Sequence, residues 1–302
     1  MIAVGVDAGG TSTVAAVSKD GAVGAEVQKG GANPTTIGVD DAADVIVSAV
    51  RAALHGAAVH RGPDAIHVGA AGAGRPQVAA ELRDLIGSAF PSARVAVGDD
   101  AAIALRAAIP SGDGAVLIAG TGSIAYAEHG LRTHRVGGLG ALAGDEGSAY
   151  WIGLQAVKLY GRVLDGRAHR DETSDLVARV LDAPDRDRLL RALYDAPLRP
   201  ATFAALAPSI IAFAGKGNRA STKIVQDAAK ELGDLLVAAL RAVELSATSP
   251  AVALAGGLML ENSLLTYLLE TRINGDVPGV SIVRGGDAPV RGALRLAERA
   301  LR

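Results

Sequence analysis

Apolar and polar positions change period several times along this chain, and each change marks an element. "IAVGVDA" is a short apolar run, "TVAAVSKD" follows the turn "GGTS", and "AVGAEVQKG" follows a tight hairpin at "KDG", so the chain opens as a three-strand meander. "GANPTTIG" breaks the pattern, after which "DDAADVIVSAVRAALHGA" carries the three-to-four spacing of an amphipathic helix. A short buried strand in "DAIHVGAAGAG", the helix "PQVAAELRDLIGSAF", the strand "ARVAVGDD" and the Asp-capped helix "DAAIALRAAI" follow. The predicted order is β-β-β-α-β-α-β-α.

"GAVLIAGTGSIAYAEHGLRTHRVGG" then restarts the cycle with strand, glycine turn, strand, second turn and third strand. Helical patterns come next in "SAYWIGLQAVKLYGRVL", "SDLVARVLDA" and the long "ASTKIVQDAAKELGDLLVAALRAVEL". The strand "AVALAGG", a helix near "NSLLTYLLETRI", the strand "VSIVRGG" and a closing helix "APVRGALRLAERALR" complete the chain. Two halves that each begin with a meander predict two related α/β domains, residues 1–108 (completed by the closing helix, 287–302) and 109–286. The cleft between two such domains is the default binding site. The polar, weakly periodic "DGRAHRDETSDL" reads as an exposed connection between helices.

Composition narrows the function classes. The chain has 302 residues, enough for two domains, and aromatic residues make up only 3% of it, so Ala, Val, Leu and Ile must fill the interior. Lys and Arg number 30 against 32 Asp and Glu, and they are scattered, which leaves no basic footprint for a nucleic acid. No apolar run reaches the roughly 18 residues of a membrane span, and "MIAVGVDAGG" lacks the basic-then-apolar form of a leader, so a cytoplasmic protein is expected. With no cysteine in the sequence, disulfides, thiolate zinc sites, Cys-ligated iron–sulfur clusters and cysteine nucleophiles are all excluded. The six histidines lack ligand spacing, which disfavours a histidine metal site.

The chemistry concentrates in the glycine turns. In "VDAGGTST" a strand ends in Asp7, Gly9 and Gly10 let the backbone turn sharply, and Thr11 and Ser12 add hydroxyls. An acid beside a phosphate-cradling turn makes sense if a cation sits between them, with Mg²⁺ the natural choice, whereas an ordinary hairpin explains the glycines alone. "AGTGS" repeats the architecture without the acid, offering Gly120, Thr121, Gly122 and Ser123. Two such turns, each opening a meander in its own half, point to a nucleotide held by both. Neither is a Walker A loop, since no G-K-[ST] follows, and neither opens a G-x-G-x-x-G helix. Gly256 and Gly257 end the strand in "ALAGGLMLEN", either as a steric requirement of the turn or to expose backbone to an adenine and ribose. The single tryptophan, Trp151, reads as core.

Five motifs in order, "GVDAGGTST", "VGDDAAIAL", "IAGTGSIAY", "GDEGSAYWIG" and "VALAGGL", are similar to those of the actin, hexokinase and heat-shock-70 ATPase superfamily. Within it, the chain most resembles the BadF/BadG-type group that includes N-acetylglucosamine kinases, and the likeness runs essentially end to end. The resemblance implies two ribonuclease-H-like domains, each a mixed sheet opened by a three-strand meander and flanked by helices. It also implies an ATP-dependent sugar kinase acting on the 6-hydroxyl of an amino sugar or hexose, with N-acetylglucosamine first and glucosamine or glucose next. Asp100 matches the catalytic base, with Asp99 as helix cap or cleft wall; both could otherwise be caps. Asn33 and Asp145 match sugar contacts, where turn chemistry and helix capping are the plain alternatives, and Glu146 is either a further contact or a cap. Gly72 would let the chain approach the sugar; Ala73 and Gly74 follow it where some relatives carry a polar residue. A homodimer is the oligomeric state the resemblance suggests, with the sugar and ATP as partners and neither nucleic acid nor membrane among them.

Three competing readings belong to the same superfamily. The ATPase that activates 2-hydroxyacyl-CoA dehydratases needs cysteine for its bridging cluster, and this chain has none. Many ROK-type sugar kinases and repressors carry a Cys-rich zinc motif, absent here, and a helix-turn-helix extension is absent too. A non-catalytic ATP-dependent switch would have no use for Asn33, Asp100 and Asp145 together.

Overall fold

A computed structural model describes residues 1–195 and 200–302 and divides the chain into two units, Met1–Gly112 with Gly285–Arg302, and Asp113–Arg284. In the first, the meander forms β1 (Ile2–Ala8), β2 (Ser12–Lys19) and β3 (Ala22–Gly30). After α1 (Pro34–Ile37) and α2 (Val39–Gly56) come β4 (Ala65–Ala70), α3 (Pro76–Ala89), β5 (Arg94–Asp99) and α4 (Asp100–Ala108). The sheet order is β3-β2-β1-β4-β5, with β1, β4 and β5 mutually parallel and the meander antiparallel.

Alternation along these strands decides which helix covers which face. Val4 and Val6 of β1, Ile66 and Val68 of β4, and Ala15 and Val17 of β2 pack with Ile46, Val50 and Ala53 of α2 and Leu82 and Ile86 of α3. The opposite face carries Ala3, Ala16 and Ala65 against Val290, Leu294 and Ala297 of α12 (Pro289–Arg299), the last helix of the chain. Small residues there are a packing requirement. A Cβ on Gly5 would stand 2.2 Å from the Leu294 amide nitrogen, so α12 can lie on β1 only because the strand has no side chain at that point.

The second unit repeats the plan. Its strands are β6 (Gly114–Ala119), β7 (Ser123–His129), β8 (Arg132–Gly137), β9 (Ala251–Ala255) and β10 (Ser281–Arg284), in the order β10-β9-β6-β7-β8. Read from the far end, this is the same arrangement as the first sheet, again with the meander antiparallel and β6, β9 and β10 parallel. Its helices are α5 (Ala149–Leu164), α6 (Glu172–Val180), α7 (Arg186–Tyr194), α8 (Pro200–Ala204), α9 (Ala207–Gly215), α10 (Arg219–Ala242) and α11 (Leu264–Asp276). The long α10 buries Leu232, Leu236 and Leu240 at one-turn spacing against the sheet, each worth about 1.5–3 kcal/mol of burial. Trp151 is half-buried on the edge of this core.

The architecture is the two-domain ribonuclease-H-like class expected from the sequence, and the differences are local. "DGRAHRDETSDL" is only half a connection: Asp171 and Ser174 form a reciprocal capping box, so α6 begins inside the polar stretch. α1, α7, α8 and α9 were not resolved from periodicity, being short or, in α9, nearly uniformly apolar. No described helix is long and apolar enough to cross a membrane.

Candidate active site

In the first unit the parallel strands β1, β4 and β5 end level with one another, Ala8 beside Ala70 and Ala70 beside Asp99. The first glycine turn, the loop containing Gly72, and Asp99 and Asp100 therefore emerge from one edge of the sheet, the end at which open α/β sheets bind ligands. The turn is closed by the Gly9 amide donating to the Ser12 carbonyl at 2.9 Å. The amides of Gly10 and Thr11 enter no hydrogen bond with another described residue and lie exposed. Gly31 supports the turn from behind, since a Cβ there would stand 2.2 Å from the Gly10 carbonyl oxygen. The next residue, Ala32, donates its amide to the Gly9 carbonyl at 2.9 Å, which brings Asn33 to the same place.

Asp7 lies one residue before the end of β1, beside Val14 and Gly69. Burial alone pushes its carboxyl above the ordinary aspartate range, and its carboxylate has no hydrogen-bond or ion-pair partner among the described residues. A half-buried acid without a partner could supply the one carboxylate oxygen of a magnesium ion whose remaining ligands come from phosphate and water, while the exposed amides are donors for the phosphate. Among the described residues no group of three or more acidic or histidine side chains could hold a metal by itself.

Asp99 and Asp100 have different surroundings. Asp99 is the N-cap of α4, its carboxylate accepting from the Ala101 amide at 2.9 Å. Asp100 is the first helical residue, so capping does not require it. Asn33 caps α1, and Gly72, with φ +87°, lies against it: a Cβ on Gly72 would stand 2.7 Å from the Asn33 Oδ1. The space that Gly72 leaves open is taken by the asparagine.

The second unit assembles its group in the same way. The Gly120 amide donates to the Gly122 carbonyl at 2.9 Å, while the amides of Thr121 and Gly122 have no partner among the described residues. Gly256, at φ +95°, follows β9 beside β6, where a Cβ would meet the Ala119 carbonyl oxygen at 2.3 Å; Gly257 faces open space. Asp145 does not cap the following helix. Ser148 caps α5, and Asp145 sits in a left-handed turn at φ +61° with its carboxylate against the second glycine turn. Its Oδ1 accepts from the Ser123 amide at 3.2 Å, and a Cβ on Gly122 would stand 2.6 Å from that oxygen. Burial raises the Asp145 pKa, the Ser123 bond lowers it, and the neighbouring Glu146 charge raises it.

Glu146 is not a cap either; its backbone carbonyl accepts the Ser123 hydroxyl at 2.7 Å. That bond commits Ser123, which is buried, to holding the loop rather than offering its proton to a ligand. Ala149 and Tyr150 donate their amides to Gly120 and Thr121, completing the dock of the acidic loop onto the turn.

A model of the BadF/BadG/BcrA/BcrD ATPase family matches residues 4–297. The chain belongs to that family. Among curated relatives, an N-acetylmuramic acid/N-acetylglucosamine kinase of Clostridium acetobutylicum is 28% identical over 298 residues, covering 97% of each chain. A glucosamine kinase of Vibrio cholerae is 28% identical over 237 residues, covering 78% of this chain and 79% of the relative. Among solved structures, a Chromobacterium violaceum protein assigned as an N-acetylglucosamine kinase superposes with a TM-score of 0.74 at 26% identity, over 98% of both chains.

Two features of this family member lay outside the sequence reading. Gly31 falls in a segment that breaks the strand pattern, and the doubled glycine before "ANP" is its one signal for close backbone packing. The bond from Ser123 to Asp145 spans 22 residues, and no local pattern announces it.

Proposed function

We infer that this family member is an ATP-dependent sugar kinase that phosphorylates the 6-hydroxyl of an amino sugar, with N-acetylglucosamine as the leading substrate. One observation carries the reading: each unit places a glycine turn with two unpartnered amides, and a half-buried carboxylate, at the C-terminal end of its parallel strands. Such amides are donors for phosphate oxygens, and such carboxylates serve cations or sugar hydroxyls. The kinase relatives, one of them matched along nearly its whole length, support the same chemistry.

In this mechanism the amides of Gly10 and Thr11 are the first unit's donors for phosphate oxygens of ATP, and those of Thr121 and Gly122 are the second unit's. Gly256 and Gly257 offer backbone to the nucleoside. Asp7 would hold magnesium, which when bound neutralises charge on the phosphate oxygens. Asn33 in the first unit and Asp145 in the second each offer a side chain suited to sugar hydroxyls. Asp100 accepts the proton of the acceptor hydroxyl as its oxygen bonds to the γ-phosphorus and the bond to the β–γ bridging oxygen breaks, releasing ADP. Asp100 then returns the proton to solvent.

The test is an ADP-release assay with ATP and magnesium across N-acetylglucosamine, N-acetylmuramic acid, glucosamine, glucose, mannose and N-acetylmannosamine. One sugar should stand well above the rest in kcat/KM, with the phosphorylated sugar as product. ATP hydrolysis that ignores every sugar would overturn the kinase reading in favour of an ATPase switch.

A further inference from the structure

Asn33 is held by its oxygen. Its Oδ1 accepts two hydrogen bonds from Thr35, one from the backbone amide at 2.9 Å and one from the hydroxyl at 2.7 Å. A backbone amide can only donate, so the atom it meets is the oxygen and the carboxamide has one orientation. Its Nδ2, with two N–H donors, therefore turns the other way and meets no acceptor among the described residues. The amide bond alone completes the cap of α1, as for any asparagine at a helix start. The hydroxyl bond is additional. Two donors converging on one oxygen fix the plane of the carboxamide, where a single bond would let it swivel about its last torsion. Gly72 closes the same arrangement, because a Cβ there would stand 2.9 Å from the Thr35 methyl and 2.7 Å from Oδ1.

We propose that Thr35 is a positioning residue for the sugar: its hydroxyl locks the Asn33 carboxamide so that Nδ2, a donor, is the group the sugar meets. This rests on the sugar-kinase reading. The need follows from the chemistry of the other contacts. Asp100, in the same unit, only accepts hydrogen bonds when ionised, so it satisfies a hydroxyl proton and leaves the hydroxyl oxygens unmet. Asn33 supplies the donor, provided its oxygen is kept away.

The experiment is a set of variants at two positions, read as the KM for sugar, the KM for ATP, kcat and Tm. Thr35 is exposed, so Thr35→Val should fold and melt with the wild type. It should raise the sugar KM about five- to tenfold, the worth of one hydrogen bond, with kcat and the KM for ATP within twofold. Thr35→Ser, which keeps the hydroxyl, should restore the sugar KM. Asn33→Asp keeps the acceptor for Thr35 but has no donor, and should raise the sugar KM further; adding Thr35→Val to it should then change nothing more. An unchanged sugar KM in Thr35→Val, a serine that fails to rescue, or an undiminished effect in the double variant would overturn the assignment. So would a Thr35→Val protein with lowered Tm and both KM values raised together, the mark of a structural role. A wild type that phosphorylates no sugar overturns the kinase reading and this assignment with it, whereas an active wild type with an indifferent Thr35 overturns the assignment alone.

Discussion

Gly10 and Gly31 look alike in the sequence and should respond in opposite ways to the same methyl group. At Gly31 an added Cβ would stand 2.2 Å from the Gly10 carbonyl oxygen and 2.6 Å from its carbon, both backbone atoms, so the turn must shift by about an ångström to reach ordinary contact. Overpacking of that kind costs about 1–3 kcal/mol. At about 2–4 °C per kcal/mol for a chain of this size, Gly31→Ala should lower the melting temperature by roughly 2–12 °C. At Gly10 nothing lies within 4 Å of the added methyl, and the glycine is not at positive φ. Gly10→Ala should leave the melting temperature unchanged or raise it slightly, through the lost freedom of the unfolded chain.

Function should reverse the ranking of harm at Gly10. A phosphate oxygen must come within about 2.9 Å of an amide nitrogen, and a methyl on the exposed side of the turn holds it off. Losing two hydrogen bonds to a charged group, each worth about 1.5–3 kcal/mol, raises the KM for ATP by about a hundredfold or more. Thermal melts of the apo protein, paired with ADP-release kinetics at saturating sugar, read both quantities. A Gly10→Ala protein whose KM for ATP stays within threefold of wild type would refute the nucleotide turn. A Gly31→Ala protein that melts like wild type would refute the packing argument.

Asp100→Asn should lower kcat by about 10²–10⁴-fold while sugar affinity stays within a small factor, and near-normal kcat would remove Asp100 from the role of base. Asp99→Ala should instead lose about 1 kcal/mol of stability with its cap, read by urea denaturation. His67 of β4 has a buried Nε2 with no hydrogen-bond partner among the described residues, and burial lowers its pKa from 6.5 to about 4. The unfolded chain then binds the proton more readily than the folded one, so stability should be full above pH 6.5 and fall by about 3 kcal/mol as pH drops to 4. His67→Leu should flatten that part of the profile; an equally steep one would place the proton elsewhere. Asp7→Asn should melt higher than wild type at pH 7, because burial of the charged form ends, while kcat/KM falls about 10²-fold or more and its magnesium dependence weakens. An unchanged magnesium titration would remove Asp7 from that role.

The meanders, the flanking helices and the glycine turns were legible because each is a local pattern with a fixed period or a fixed chemistry. Asp99 as a cap was legible for the same reason, standing immediately before an apolar helical repeat. The pairing of Asp145 with the second turn was not, since "GDEGSAY" ahead of a helix has the form of a cap and the chain uses Ser148 for that purpose instead. Capping propensity ranks aspartate and serine almost equally, so the sequence could not choose between them. The packing role of Gly31 was hidden for a related reason: it depends on an atom of another segment at 2.2 Å, whereas Gly10 faces open space.

The acid missing from the second turn is the point at which structure changes the reading most. In sequence the two turns differ, because "VDAGG" carries Asp7 and "IAGTG" carries nothing in its place. In the fold both turns have a carboxylate, the second brought from 22 residues downstream and held by the Ser123 amide. Each is raised in pKa by burial, so each makes the ligand-free protein less stable at neutral pH than a neutral side chain would. Asp145 adds a backbone in the left-handed region, which aspartate tolerates at some cost. Stability alone accounts for neither acid, and that convergence on two topologically equivalent turns is the strongest structural argument that both carboxylates serve a ligand.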